Sequence, residues 1–295
     1  MAGAYYEHSG KYSIGGLVVG LLAGVIGGAI LGYLYAYVIL YIPLAGVITF
    51  ILAAGFGGLV GFVAVYPLKW QKVRNTGLMF AGTALVALKS LYFAWATWVY
   101  AFLRRSEVDA DLASIVVQPW VLWELIGRIN EVGAWSIRSL EPKGTFLGVL
   151  WLLEAGIIVV VAFLVAAWQI RDEPYCENCS AWCKGEENVA VLAKGEEADV
   201  KSHAESKNFG LFEKLGGVPA DAMEWLRLDL HLCPQCKQTG TLTVKAVTKS
   251  IDKQGKASTS DTDIVDKLIV TSSDVYAIRE LGQKFPGGAT TDVKA

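Results

Sequence analysis

The sequence feature that most limits the fold is an uncharged run of 53 residues, from position 14 to position 66. A membrane-spanning helix needs about 20 predominantly apolar residues, so this run is long enough for two spans. Pro43 is the expected break between them, because proline removes a backbone donor and kinks helices. Two further apolar stretches predict a third and a fourth span. The four predicted spans are 14–41, 44–66, 78–103 and 146–170.

The distribution of charge divides the chain into two regions. Charged residues make up 18% of the sequence, against about 25% in soluble proteins. Residues 1–170 carry 18 of them and residues 171–295 carry 36. We therefore predict an α-helical membrane bundle over 14–170, followed by a small α+β soluble domain over 171–295. Residues 1–13 form a polar N-terminal tail, and the first apolar run is too long for a cleaved signal peptide.

Basic residues in short loops predict the orientation in the membrane. The loop 67–77 carries Lys69, Lys72 and Arg74 and no acidic residue. An excess of lysine and arginine marks the cytoplasmic side. With four spans, both termini then lie in the cytoplasm, and the segment between the third and fourth spans faces outwards.

That outer segment contains an apolar stretch at 112–130 that predicts an amphipathic helix. Glu124 and Arg128 are four residues apart and share one helix face. Trp120, Trp123 and Trp135 are of the type that favours the membrane–water interface. We interpret the stretch as a helix lying on the membrane. The alternative is an extramembrane helix packed on the bundle.

Small residues repeat every four positions in the first two spans. Such spacing places a stripe without side chains along one helix face, where a second helix can approach closely. One interpretation is packing of the first span on the second, and the other is self-association between protomers. The predicted helix-packing residues are Gly16, Gly20, Gly24, Gly28, Gly32, Gly57 and Gly61.

Two charged residues fall inside predicted spans, Lys89 in the third and Glu154 in the fourth. Intramembrane charges are costly and usually face the protein interior or water. One interpretation is a proton or ion pathway with Glu154 as the titrating group. The other, which we favour, is a structural pair, or a Glu154 that lies close enough to the interface to contact water. The two positions differ in depth by about six residues, or about 9 Å.

Two Cys-x-x-Cys pairs, 53 residues apart, mark the C-terminal region. A two-residue gap lets a tight turn direct two thiolates at one ion, and two such turns complete a tetrahedral site. The stretch 232–244 resembles the second knuckle of a zinc ribbon, in which a Cys-Pro-x-Cys turn precedes a strand. The long gap implies an insertion between the knuckles.

Four thiolates leave no position open for water, so a zinc ion here is structural. An iron ion fits the same ligands. A disulfide needs an oxidising compartment, and a redox dithiol needs a thioredoxin-like setting. We interpret Cys183 as a spare buried thiol and His231 as a solvated residue. The predicted metal ligands are Cys176, Cys179, Cys233 and Cys236.

The rest of the tail reads as mixed secondary structure. We predict a short helix at 206–215, a strand at 263–271, a helix at 273–284 and a polar loop at 249–260.

No catalytic motif is present: the sequence lacks a phosphate-binding loop, Gly-x-Ser-x-Gly and His-Glu-x-x-His. A tail of net charge −4 lacks the electrostatic footprint of nucleic-acid binding. We therefore expect a non-enzymatic membrane component with protein partners, membrane lipid around it and no small-molecule substrate. A channel or transporter using Lys89 and Glu154, and a membrane-tethered thiol redox protein, are the alternatives.

Overall fold

The computed structural model describes residues 4–41, 47–134, 142–237 and 240–287. These residues divide into two compact units. The first, Ser9–Asp172, is helical, and we call it the helical unit. The second, which we call the sheet unit, combines the residues after Asp172 with the first eight positions of the chain. This architecture confirms the predicted fold class.

Four helices of the helical unit are long and apolar enough to cross a membrane. Even the shortest, with 24 residues, is about 36 Å long and exceeds a hydrocarbon core of about 30 Å. Their bounds are Ile14–Tyr41 (α1), Val47–Trp70 (α2), Thr76–Arg105 (α3) and Gly144–Asp172 (α6).

Three of these helices end beyond the apolar runs from which they were predicted. α2 continues through Pro67 to Trp70, and α3 ends with Arg104 and Arg105. Lysine and arginine stems can lie along a helix while their charges reach water, so a charge need not end the helix. The predicted break at Pro43 lies outside the described residues.

The small-residue face of α1 is turned towards α2 and α3. Gly20 lies against Leu68 of α2, and Gly32 lies against the Ser90 carbonyl oxygen of α3. Close approach of backbones increases dispersion contacts without any side chain between the helices. The buried positions on this face are Gly16, Gly20, Gly24, Gly28, Gly32 and Ala36.

Two glycines of α2 allow the same close approach to α6. A Cβ atom added at Gly57 would lie 2.5 Å from the carbonyl oxygen of Ile158. A Cβ atom added at Gly61 would clash with the carbonyl oxygen of Ala162. At these two positions α2 and α6 are therefore in backbone contact, and apolar side chains of both helices pack in the same clusters around them.

The segment between α3 and α6 forms two short helices, Leu112–Val117 (α4) and Pro119–Val132 (α5), where the sequence predicts one. The break falls at Gln118, because the proline after it disfavours helical geometry at the preceding residue. Leu122 and Ile129 of α5 are buried in a cluster shared with α3, whereas Trp120 and Trp123 are exposed. Trp135 lies outside the described residues.

The sheet unit is built on one four-stranded antiparallel sheet in the order β3-β4-β5-β6. Leucines on alternate positions of β4 face a core that helices cover from one side. The strands are Lys184–Ala193 (β3), Glu224–Leu232 (β4), Gly240–Ile251 (β5) and Ala257–Val270 (β6). A short hairpin precedes them, formed by Tyr175–Cys176 (β1) and Ala181–Trp182 (β2). The covering helices are Glu197–Glu205 (α7), a 3-10 helix Phe209–Leu215 and Ser272–Lys284 (α8).

The polar loop predicted at 249–260 is shorter in the structure. Residues 252–256 form a turn, whereas the positions on either side of it are the ends of β5 and β6, where Lys249 pairs with Thr259. Most of them are exposed, so the strands lack the alternation of apolar and polar residues by which a half-buried strand is recognised. The helix predicted at 206–215 is also shorter in the structure. It is a 3-10 helix that begins at Phe209.

Residues 4–8, which we call the N-terminal segment, belong to the sheet unit and do not form a separate tail. The Ile269 N–H donates to the Ala4 carbonyl at 2.8 Å, and the Tyr6 N–H donates to the Lys267 carbonyl at 2.9 Å. Tyr5 is bridged to Leu268 in antiparallel orientation. The segment therefore extends the sheet beyond β6.

A capping box at the start of α8 gives a prediction about pH. Burial, which alone raises the pKa of Asp274, is outweighed by hydrogen bonds from the Thr271 N–H and hydroxyl and by Lys207, so the pKa is lowered. A depressed carboxyl pKa stabilises the fold above the unfolded-state pKa, and this stability is lost as pH falls through the folded-state pKa. We expect Asp274→Ala to lower the free energy of unfolding by about 1 kcal/mol at neutral pH.

The difference between the parent protein and Asp274→Ala should begin to shrink below about pH 4, where the unfolded chain takes up its proton, and should vanish only once the pH has fallen through the lower folded-state pKa. Proteolysis of the sheet unit in increasing urea, at several pH values, measures this. Asp266→Ala is the matched control, because Asp266 is exposed and its ion pair in the described part of the chain is with the neighbouring Lys267. A difference that persists unchanged in acid would contradict the prediction.

Candidate metal centre

Two similar turns present the four predicted cysteines. In the first, Cys176 ends β1 and Cys179 lies in the turn before β2. In the second, Cys233 follows β4 directly, and the Lys237 N–H donates to the Cys233 carbonyl at 3.0 Å. The residue after each second cysteine has a left-handed backbone, with φ of 51° at Ser180 and 54° at Lys237. Both pairs therefore occupy turns that reverse in the same way.

Strand pairing brings the two turns together across the long insertion. Lys184, at the start of β3, pairs with Leu232, at the end of β4. The chain just before β3 and the chain just after β4 therefore meet at one end of the sheet. The insertion that the spacing implies consists of β2, β3, α7, the 3-10 helix and β4.

The sulfur atoms are close enough to share one ion. All four Sγ atoms lie within 4.8 Å of one another, and those of Cys176 and Cys236 are 4.0 Å apart. A zinc ion with Zn–S bonds of about 2.3 Å separates tetrahedral sulfur ligands by about 3.8 Å. Cys176 and Cys233 are buried, and Cys179 and Cys236 are half-buried. The four thiols fit a metal ion in a closed site.

The thiols oppose one another's ionisation. The hydrogen bond with Cys236, then burial and contacts with the other thiols of the cluster, raise the pKa of Cys179 to about 12. A divalent cation reverses this preference, because a coordinating thiol is deprotonated outright. The same cluster would therefore release protons as it takes up a metal ion.

Cys183 and His231 lie outside the set of four. Cys183 is buried beside the cluster, and burial raises the pKa of its thiol to about 12. The His231 ring packs on Gly185, its partner across β3 and β4. Within the described residues, no other group of three or more His, Cys, Asp or Glu side chains converges in this way.

Aromatic side chains from the N-terminal segment support the first turn. The Tyr175 N–H, directly before Cys176, donates to the Tyr6 hydroxyl at 2.8 Å. The ring of Trp182, directly before Cys183, lies edge-on to Tyr175 at 5.0 Å and to His8 at 6.0 Å. Sequence reasoning missed Tyr6 and His8, because nothing local to them indicates a partner about 170 positions away.

The structure does not join Lys89 to Glu154. The Tyr35 hydroxyl donates to the Glu154 carboxylate, and the Tyr35 ring stacks on Phe56 at 4.3 Å. Lys89 is exposed on α3, whereas Glu154 is bonded to Tyr35, and among the described residues no ion pair connects the two charges. The predicted structural pair is therefore not formed within the described part of the chain.

No family model, curated protein or solved structure matches this chain. The functional assignment therefore depends on the residues themselves. Chemically, the four-thiol cluster can hold a metal ion and crosslink two distant parts of the sheet unit.

Proposed function

We propose that the protein is a non-enzymatic, multi-pass membrane component that presents a metal-stabilised domain to a protein partner in the cytoplasm. The observation that carries this proposal is the closed cluster of four thiols in a domain attached to four membrane-spanning helices. A closed four-thiolate site is structural, because no coordination position is left for substrate or water. We take the ion to be zinc.

The pairing of the N-terminal segment with the sheet supports a topology in which both ends of the helical unit lie on the same side of the membrane. Residues 4–8 and the residues after Asp172 form one unit, which requires an even number of membrane crossings between them. The Arg74 N–H donates to the Lys11 carbonyl at 2.9 Å, so the loop between α2 and α3 lies beside the start of α1. Lys69 and Lys72 lie in the same region of sequence, and this positive end favours the cytoplasm.

The outer edge of β6 is the surface that we assign to the partner. Within the described chain, the N-terminal segment pairs with this edge only near residues 267–269. Residues 257–263 are exposed, and Asp261 is held by Arg227 at 3.1 Å and Lys245 at 3.2 Å. An extended peptide can add to such an edge through backbone hydrogen bonds. Asp263 lies 3.7 Å from Lys245 but keeps about half of its side chain exposed, and this second carboxylate on the strand favours a partner strand that carries basic residues.

Native purification of the full chain in mild detergent tests this function. We expect a partner to co-purify in fixed stoichiometry with the parent protein, and Asp263→Lys to reduce its yield several-fold. Asp266→Lys is the matched control, because Asp266 lies on the same strand beside the part already paired with the N-terminal segment. Equal metal content in all three proteins checks that the domain is intact.

A parent protein that runs as an isolated monomer without partner would overturn the proposed function. A partner that binds the parent and Asp263→Lys equally would overturn the assignment to the β6 edge alone.

A further inference from the structure

We propose that α4 and α5 form a re-entrant segment, whose exposed face contacts lipid at the boundary between acyl chains and headgroups. We call this face, formed by Val117, Trp120 and Trp123, the tryptophan face. These three side chains are 69%, 68% and 77% exposed. The inference rests on the proposed insertion of the four long helices in a membrane.

The depth of the segment follows from its contact with α3. The Tyr92 hydroxyl donates to the Val116 carbonyl at 2.7 Å. Tyr92 lies thirteen residues before Arg105, the end of α3, which corresponds to about 20 Å along the helix axis. A tyrosine side chain spans little more than one helical turn, so Val116 lies more than about 10 Å inward from that end.

The length of α3 places this depth inside the membrane. Its 30 residues extend about 45 Å, whereas the hydrocarbon core is about 30 Å thick. A centred α3 therefore projects about 7 Å beyond the core at each end. The end of α4 then lies within the hydrocarbon region, and α5 packs with Trp98 and Val99 of α3 on its way out.

The backbone at the break between α4 and α5 is suited to this position. Carbonyl groups at a helix end lack partners, and in lipid each unsatisfied group costs several kcal/mol. The Tyr92 hydroxyl satisfies Val116, and the Gln118 carbonyl accepts from the Val121 N–H at 3.0 Å. Pro119 has no N–H to satisfy. Donors within the protein therefore satisfy two of the carbonyl groups at the break.

The side chains of α5 distinguish a lipid contact from a water-exposed helix. Leu122 and Ile129 are buried against the bundle, and Trp120 and Trp123 lie on another side, three residues apart. Indole rings favour the membrane interface, because each has an apolar body and one N–H donor. Glu124 and Arg128 pair at 2.6 Å, and the third charge of α5, Glu131, is the next-to-last residue of the helix, where α5 leaves the membrane.

Fluorescence quenching in liposomes tests the proposal on the full chain. We compare the parent protein, Trp120→Phe/Trp123→Phe and the control Trp168→Phe, whose tryptophan is exposed on the membrane-spanning helix α6. Subtracting each variant's emission from the parent's isolates the tryptophans removed. We expect emission from Trp120 and Trp123 to be quenched several-fold more strongly by phosphatidylcholine brominated near the headgroup than by aqueous acrylamide.

Strong acrylamide quenching of Trp120 and Trp123, equal to that of a fully exposed tryptophan, would overturn the re-entrant segment. Protection from both quenchers would also overturn it, because another protein surface would then cover the face. If Trp168 too escapes the brominated lipid, the membrane insertion in the proposed function fails. If Trp168 alone is quenched by that lipid, only the re-entrant segment fails.

Discussion

Replacing both Cys233 and Cys236 with serine is expected to remove the metal ion from the purified protein and to unfold the sheet unit. Structural zinc sites contribute about 10–16 kcal/mol of apparent binding free energy. Whole domains are stable by only about 5–15 kcal/mol, so the loss is comparable to the total. Elemental analysis measures the metal, with one zinc ion per parent chain expected. Limited proteolysis after Asp172 measures unfolding.

Cys183→Ala is the control for this experiment. Cys183 is as buried as Cys176 and Cys233, at 2% exposure, but its thiol is outside the set of four. We expect this variant to keep its metal ion and to lose only about 1 kcal/mol of stability. A parent protein that contains no zinc and carries an intact Cys176–Cys179 disulfide would contradict the metal site.

The second large effect is expected at Gly57 and Gly61 of α2. A methyl group at either position meets a backbone carbonyl oxygen of α6, which no change of rotamer can move away. Overpacking usually costs about 1–3 kcal/mol, and here two successive contacts would separate the helices. We expect Gly57→Ala/Gly61→Ala to lower the thermal midpoint of the helical unit strongly or to prevent its folding. Heating in mild detergent, followed by size-exclusion chromatography, measures the loss.

Gly55→Ala/Gly156→Ala is the matched control, with one substitution on each of the same two helices. Both glycines are exposed, and an added Cβ atom meets nothing within 4 Å at either position. Alanine is a better helix former than glycine by about 1 kcal/mol, so this variant should be at least as stable as the parent. Equal thermal midpoints for the two double variants would contradict close packing of α2 on α6.

The features that the sequence predicts well are those encoded by local chemistry. The long helices follow from apolar length alone, because a bilayer sets one thickness for all of them. The cysteine cluster follows from spacing. Cys179 and Cys236 each lie three positions after another cysteine, and a tight turn over that distance points both sulfur atoms of a pair at one site. Neither inference needs knowledge of a distant contact.

The features that escaped prediction depend on partners far away in the chain or on strands that face water on both sides. Nothing near Tyr6 indicates that it joins a sheet edge more than 260 positions later. A carboxylate such as Glu154 leads one to expect a cation as its partner, but its hydrogen-bond donor in the structure is the hydroxyl of Tyr35. The break at Gln118 changes how the α4–α5 stretch can sit in a membrane. Two short helices can enter the bilayer and leave it again, whereas one long amphipathic helix would lie flat on its surface.

The split origin of the sheet unit has a consequence for biosynthesis. Ala4 is translated 265 positions before Ile269, its partner, so at about 5–20 residues per second it waits roughly 10 to 50 s. All four long helices are made during that interval. On the proposed topology, if one of them failed to insert, the N-terminal segment and β6 would be left on opposite sides of the bilayer and could not pair. Pairing of this segment with β6 would therefore require an even number of membrane crossings between the two.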